Sequence, residues 1–268
     1  DFYECRHGLG YSRFTGEKSG CRAEVTCFVP DEVNAEVQIL RLTHTGEGTK
    51  KLKIHSFVEW CLWNALDDNT NFQRNFSTGQ VEIEGSTLFH KTEFRERRNH
   101  YAFYHVNAPL GGYDTDRETF LGLYNSLQQP DMVLQGKAGN SEAHGWSPVA
   151  SHFLEVSLEP GESKTLVFVL GYVELAQEHK FSGKEIINKQ LAHDIIARYD
   201  TPEKAWDSLR RVKEKWHALL GIFNMEGPDE RFNRMVNIWN QYQCIVTYYF
   251  SRSASYFESG IGRGMGFR

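Results

Sequence analysis

The residues of this chain best suited to chemistry lie in its last stretch, SRSASYFESGIGRGMGFR, where four glycines alternate from Gly260 to Gly266 among Arg252, Arg263 and Arg268. Glycines let a ligand approach the backbone, and guanidinium forks hold an anion bidentately. The pattern is G-x-G-x-G-x-G, which lacks the spacing of a dinucleotide fingerprint. It follows a helical pattern rather than a strand, and no Gly-Lys-Ser/Thr of a phosphate loop occurs. Two readings stay open on the residues alone: a flexible loop between helices, or a loop that lets a substrate reach the backbone beside two fixed positive charges.

Other candidates are weaker. The eleven histidines form no H-x-x-x-H or similar cluster. His100 and His105, five apart in a strand-like run, fall on opposite faces, so no metal is expected. Asp67 with Asp68 and Asp114 with Asp116 are carboxylate pairs in loops, where turn-forming or solvated roles outnumber catalytic ones. The segment NALDDNTNFQRN around the first pair is nonetheless dense in the amide, carboxylate and guanidinium side chains that recognise sugar hydroxyls. The run RERR, Arg95 to Arg98, is expected to be a solvated or salt-bridged strand end.

The elements that must position these residues are legible from periodicity. Up to about residue 175, AEVTCFV, AEVQILRLTHT, KKLKIHSFVEW, QVEIEG, HYAFYHVN, HFLEVSL and KTLVFVLGYVE read as strands separated by turn residues, with EPGES a hairpin turn. Many strands without intervening helices predict a large antiparallel β-sandwich. Beyond Phe181 the period becomes helical. Ser182 and Glu185 form a capping box ahead of Ile186, Ile187, Leu191, Ile195 and Ile196. Thr201 caps a helix with Pro202 in its first turn, and a third helix starts near Asp229 with Phe232, Met235, Val236, Trp239, Tyr242, Val246 and Tyr249 on its apolar side.

Composition bounds the rest. With 268 residues and 40% hydrophobic content the chain fills a globular core, and a formal charge of -5 argues against nucleic acid as the main partner. No run of about 18 apolar residues marks a membrane span, and no signal-peptide pattern opens the chain. The five cysteines, Cys5, Cys21, Cys27, Cys61 and Cys244, lack metal spacing and read as free, mostly buried thiols of a reducing cytosol. A first residue that is not Met, and a last one in a glycine-rich loop after an apolar helix, suggest a piece of a longer protein.

The segments YECRHGLGYSRFTG, FVEWCLWNALDDNTNFQRN, HKTEFRERRNHYAFYHVNAP, DRETFLGLYN and WNQYQCIVTYYFSRSASYFESGIGRGMGFR closely resemble glycoside hydrolase family 94, and within it the cellobiose phosphorylases. The resemblance spans essentially the whole chain. It implies a mainly β fold: a large antiparallel sandwich over 1–178, a helical linker over 179–227, and the first helix of an (α/α)6 catalytic barrel over 228–268. It implies inverting phosphorolysis of cellobiose to α-glucose 1-phosphate and glucose, with no cofactor because inorganic phosphate is itself a substrate, in a cytoplasmic homodimer without membrane or nucleic-acid partners. Arg252 looks like the phosphate-binding arginine, Arg263 like a donor-glucose contact, and Gln73 and Arg74 like acceptor-glucose contacts. The general-acid aspartate would lie downstream, so no catalytic residue is expected within this chain, and the chain alone is expected to be inactive. Longer cellodextrins or another β-linked glucoside, or a non-catalytic carbohydrate-binding sandwich, are the alternatives.

Overall fold

The computed structural model describes residues 1–31, 33–60, 79–91, 99–145 and 147–251. The chain divides after Leu209 into two compact units. Among the described residues the first has thirteen strands, all paired antiparallel. They are β1 (Phe2–Gly8), β2 (Tyr11–Lys18), β3 (Cys21–Phe28), β4 (Ala35–His44), β5 (Lys50–His55), β6 (Val58–Glu59), β7 (Gly79–Glu84), β8 (Thr87–Lys91), β9 (His100–Val106), β10 (Gly112–Asp116), β11 (His144–Gly145), β12 (Pro148–Leu158) and β13 (Ser163–Glu174). Nine form one sheet in the order β1-β2-β3-β4-β13-β9-β8-β7-β11; β10, β12 and β5 form the other, with β6 also on β12.

Strand alternation places the core. Leu88, Ala102, Tyr104, Leu166 and Phe168 point from the large sheet to Ala150 and Leu154 of β12, closing one apolar layer between the sheets. The odd-numbered partners Phe89, Tyr101 and Phe103 are also fully buried, on the opposite face. A strand buried on both faces reads as a continuous apolar run, which is what HYAFYHV is. The seven strand-like runs of the sequence coincide with observed strands. The hairpin turn is present too, with Gly161 at φ 79° and the Glu162 N–H donating to Glu159 O at 2.9 Å.

Two short helices, α1 (Arg117–Leu121) and α2 (Asp131–Gln135), interrupt the strands, contrary to the expectation of an uninterrupted β region. Each is too short to show a helical period. The strands β1, β2, β8, β10 and β11 also escaped the pattern; β1 and β2 carry few β-branched residues, and β1 is exposed over much of its length while β2 is mostly half-buried.

Gly171 of β13 illustrates how tightly the second face is packed. It sits opposite Phe103 in the ladder, and a Cβ there would lie 2.1 Å from that ring's Cζ. Gly171→Ala is therefore expected to lower stability by about 1–3 kcal/mol, as overpacking does. Thermal unfolding checks it, and Phe103→Leu in the same chain should restore part of the loss.

After β13 the structure departs from the capping-box expectation. The helix α3 spans Gln190–Ile196, and residues 182–189 are not helical. Glu185 has φ 61°, and the Ser182 N–H donates to Ile186 O at 3.0 Å, closing a turn instead of a cap. Gly183 weakens a first helical turn by about 1 kcal/mol, and tertiary contacts take the rest. The Lys91 ammonium donates to Glu185 O, the Ile187 N–H donates to Glu82 at 2.9 Å, and Lys189 reaches Glu82 and Glu84, each at 3.0 Å. Tyr101 donates to Asn188 O at 2.8 Å, so this segment covers the outer face of β9.

The helix α4 (Pro202–Leu220) starts where Thr201 and Pro202 place it; the Lys204 N–H donates to Thr201 Oγ1 at 3.3 Å. In the second unit, Asp229 caps α5 (Glu230–Arg234), accepting from Arg231 N at 2.9 Å. A π-helical stretch, Met235–Asn240, leads into α6 (Gln241–Ser251). Asn233 and Asn237 fold the preceding turn back onto the helix, each exchanging hydrogen bonds with the backbone of Gly227 and Met225 respectively. Tyr242 packs on Trp216 with ring centroids 5.1 Å apart. Phe232, Met235 and Trp239, placed on the apolar side by their spacing, are about half exposed in this chain.

Candidate functional site

The four residues assigned by resemblance, Gln73, Arg74, Arg252 and Arg263, lie outside the described residues, as do Asp67, Asp68, Cys61 and Arg95–Arg98. What the structure describes is the framework from which the first two are strung. The chain enters residues 61–78 from β6 and leaves them into β7, passing from the small sheet to the large one. The entry is anchored: Arg117 Nε donates to Glu59 at 2.7 Å, and Trp60 is buried with its ring stacked on His90, centroids 5.5 Å apart at 14°.

Asp116 and Arg117 open the DRETFLGLYN motif, and the structure gives both a local function. Asp116 accepts from the Thr119 N–H at 2.7 Å and so caps α1, whose first residue, Arg117, is thereby aimed at Glu59. Asp114, expected to be solvated or turn-forming, is buried. Its carboxylate accepts from Gly139 N at 2.9 Å, Ser141 N at 3.2 Å and Ser141 Oγ at 2.7 Å. Thr115 extends the same docking, donating to Ser141 O and accepting from Ala143 N, each at 2.9 Å. These carboxylates hold loops and a helix end; neither faces the other as an acid–base pair.

Several histidines are ordinary core residues of the sandwich. His152 Nδ1 lies 2.9 Å from Ser56 Oγ, an arrangement that in a cleft would suit a nucleophile and its base. Here His152 is wholly buried, its ring tilted by 37° against Tyr104 with centroids 4.7 Å apart, so the pair is a structural hydrogen bond. Burial pushes the imidazoles of His90 and His152 down to about 3 and that of His105 down to about 4, keeping all three neutral. His100 and His105 do lie on opposite faces: the first pairs with the Tyr172 hydroxyl at 3.0 Å and the second with Thr87 at 2.8 Å. Among the described residues no group of three His, Cys, Asp or Glu side chains could hold a metal, and no helix is long and apolar enough to cross a membrane. Cys5, Cys21, Cys27 and Cys244 are free thiols, but they are not mostly buried as expected: Cys5 and Cys244 are exposed and Cys21 and Cys27 half-buried, because Cys5 lies on the exposed strand β1 and Cys244 on an exposed position of α6.

The first unit is thus a two-sheet antiparallel sandwich of unequal sheets, and a helical unit follows it. The family model of the glycosyl hydrolase 94 supersandwich domain matches residues 1–202, and that of the glycosyl hydrolase 94 superfamily catalytic domain matches residues 215–268. The chain belongs to the glycosyl hydrolase 94 family. It is 28% identical over 272 residues to an N,N'-diacetylchitobiose phosphorylase of Vibrio proteolyticus, covering 99% of this chain and 32% of the relative. It is 25% identical over 272 residues to a solabiose phosphorylase of Paenibacillus borealis, covering 100% and 32%, and 26% identical over 269 residues to the cyclic beta-(1,2)-glucan synthase NdvB of Rhizobium meliloti, covering 99% and 9%. The chain spans about a third of the length of the phosphorylases it matches.

Proposed function

We propose that the protein carrying this chain is an inverting glycoside phosphorylase that splits cellobiose with inorganic phosphate into α-glucose 1-phosphate and glucose. The observation that carries the reading is the family match on both sides of the sandwich–helix division, together with relatives that are named phosphorylases. Phosphate, already an anion, needs no general base, so the protein has to supply an acid for the leaving oxygen and cations for the phosphate.

In this reading Arg252 binds phosphate, Arg263 the donor glucose, and Gln73 and Arg74 the acceptor glucose; the acid lies outside the chain. The division into a sandwich over 1–178, a linker over 179–227 and the start of a barrel over 228–268, and a cytoplasmic homodimer, belong to the same proposal. A second reading differs in substrate alone: another β-linked glucoside. Its support is that relatives named for different substrates share similar identity with this chain.

The test is release of glucose 1-phosphate by the full-length protein in phosphate buffer from cellobiose, cellotriose and solabiose in turn. The fastest release from cellobiose is expected; a faster rate on another glucoside selects the second reading, and binding without any release leaves a carbohydrate-binding sandwich. Arg252→Ala is expected to raise the KM for phosphate by about a hundredfold, the cost of losing a charge-assisted bidentate contact.

A further inference from the structure

His44 ends β4, where the chain leaves the large sheet and crosses through residues 45–49 to β5 of the small one. The residue is 2% exposed, and its imidazole meets glycine backbone on three sides. Nε2 lies 2.6 Å from Gly48 O, Nδ1 lies 2.9 Å from Gly20 O, and the Gly46 N–H points at Nδ1 from 3.0 Å. Glycine suits this enclosure. Gly20 and Gly48 have φ 71° and 68°, and a Cβ on Gly46 would lie 3.1 Å from His44 Cε1. The residue itself is fixed: the His44 N–H donates to Glu162 O at 2.9 Å, and its carbonyl accepts from Gly161 N at 3.0 Å.

One imidazole cannot make all three contacts at once. At 2.6 Å from a carbonyl, Nε2 has to carry a proton, since two lone pairs would otherwise oppose each other. In the neutral ring Nδ1 is then bare: it accepts from the Gly46 N–H and turns a lone pair to Gly20 O. In the imidazolium Nδ1 donates to Gly20 O, and the Gly46 N–H loses its acceptor. Each charge state makes a contact that the other breaks. No carboxylate meets the ring among the described residues. Glu17 accepts from Thr45 Oγ1 at 3.1 Å, Glu159 from Thr49 Oγ1 at 3.0 Å, and Glu162 from Glu159 N at 2.8 Å. Lys50 donates to Ser19 O, Lys18 pairs with Asp1 at 3.5 Å, and Glu47 is exposed. The Cys21 thiol, opposite His44 in the ladder, is pushed up by burial.

We propose that His44 is a proton-operated switch between the β2–β3 turn and the crossover to β5: charged, it bridges Gly20 to Gly48; neutral, it releases Gly20 and holds Gly46 and Gly48 within the crossover alone. Histidine is the side chain suited to this, because its charge ordinarily changes between about pH 5 and 8. The backbone of His44 stays in its ladder in both states, so the turn and the crossover are the parts that respond. Gly20 O also accepts from Thr45 N at 2.9 Å, so the switch loosens the turn without detaching it. The inference is independent of the phosphorylase reading and uses none of its residues.

Hydrogen exchange of the full-length protein tests it, read at single amides by mass spectrometry at pH 6 and pH 8 and corrected for the intrinsic exchange rate. The Gly46 amide is expected to be about tenfold better protected at pH 8 than at pH 6, the worth of one hydrogen bond, while amides within β3 and β4 stay within about twofold. His44→Gln sets an amide carbonyl and an NH2 group in place of the acceptor and donor of the neutral ring, without a charge to gain. It is expected to keep the pH 8 protection of Gly46 at both pH values. Glu17→Gln and Cys21→Ser, which remove neighbouring titrating groups, are expected to leave the difference of the parent in place. A Gly46 amide equally protected at both pH values overturns the proposal, as does a difference that survives in His44→Gln or vanishes in either neighbour variant. Should His44→Gln not fold, the parent and the two neighbour variants carry the test, and the difference has to appear in all three.

Discussion

Lowering the pH from 7 to 5 is expected to cost the first unit about 4 kcal/mol of stability, shared equally by His90 and His152. Burial holds both imidazoles at about 3 in the folded chain, against 6.5 for an ordinary histidine. Above pH 6.5 both states are neutral there and nothing is lost. As the pH falls below 6.5 the unfolded chain takes up protons that the folded chain refuses, so each histidine costs about 2 kcal/mol by pH 5, and the loss continues to about pH 3. His105, held at about 4 but only half-buried, adds less.

Glu84, its carboxyl held below the ordinary 4.5 chiefly by the Lys189 hydrogen bond, works in the same direction: its contribution is present above 4.5 and is lost as the pH falls below it, so most of that loss comes after pH 5. Urea denaturation at pH 7 and pH 5 checks the prediction, and His152→Gln should remove about half of the difference between the two midpoints. Against a typical total of about 5–15 kcal/mol, the effect is large enough to bring a marginal domain to its unfolding transition.

Asp114→Ala is expected to destabilise by about 3 kcal/mol, because it strips an ionised acceptor from three donors at once. Gly139 N, Ser141 N and Ser141 Oγ all converge on this buried carboxylate, and a Cβ at Gly139 would sit 2.7 Å from its Oδ1. Asp114→Asn should cost less, since its carbonyl oxygen can still accept from Ser141, but the amide N–H then opposes the Gly139 N–H. Thermal unfolding of the two variants, ranked Ala below Asn below the parent, is the expected order. An equal, small effect of both would place the carboxylate among ordinary surface turn formers.

The capping box shows most clearly where local reading stopped. Ser182 and Glu185 have the right types and spacing, yet the chain at Glu185 turns left-handed so that its carbonyl meets Lys91, a residue far away in sequence. By contrast Thr201–Pro202 and Asp229 were read correctly, because a cap there involves only the next few residues and no distant group competes. Asp114 and Asp116 divide in the same way. The cap formed by Asp116 is local and belongs to a familiar class, whereas the burial of Asp114 depends on a segment some twenty-five residues later.

Sequence by itself determined the strands that alternate or run apolar, the change from period two to a helical period after β13, the two local helix caps, and, through its motifs, membership of the glycosyl hydrolase 94 family. All of these rest on interactions between residues close along the chain, or on residue types at set spacing. Only the tertiary structure decided which strands share a sheet, which histidines are buried and neutral, what Asp114 holds, and that Gly20, Gly46 and Gly48 meet on the imidazole of His44. Those outcomes are set by packing between segments far apart in sequence, where burial and close approach depend on the partner surface and leave no periodic trace in either segment.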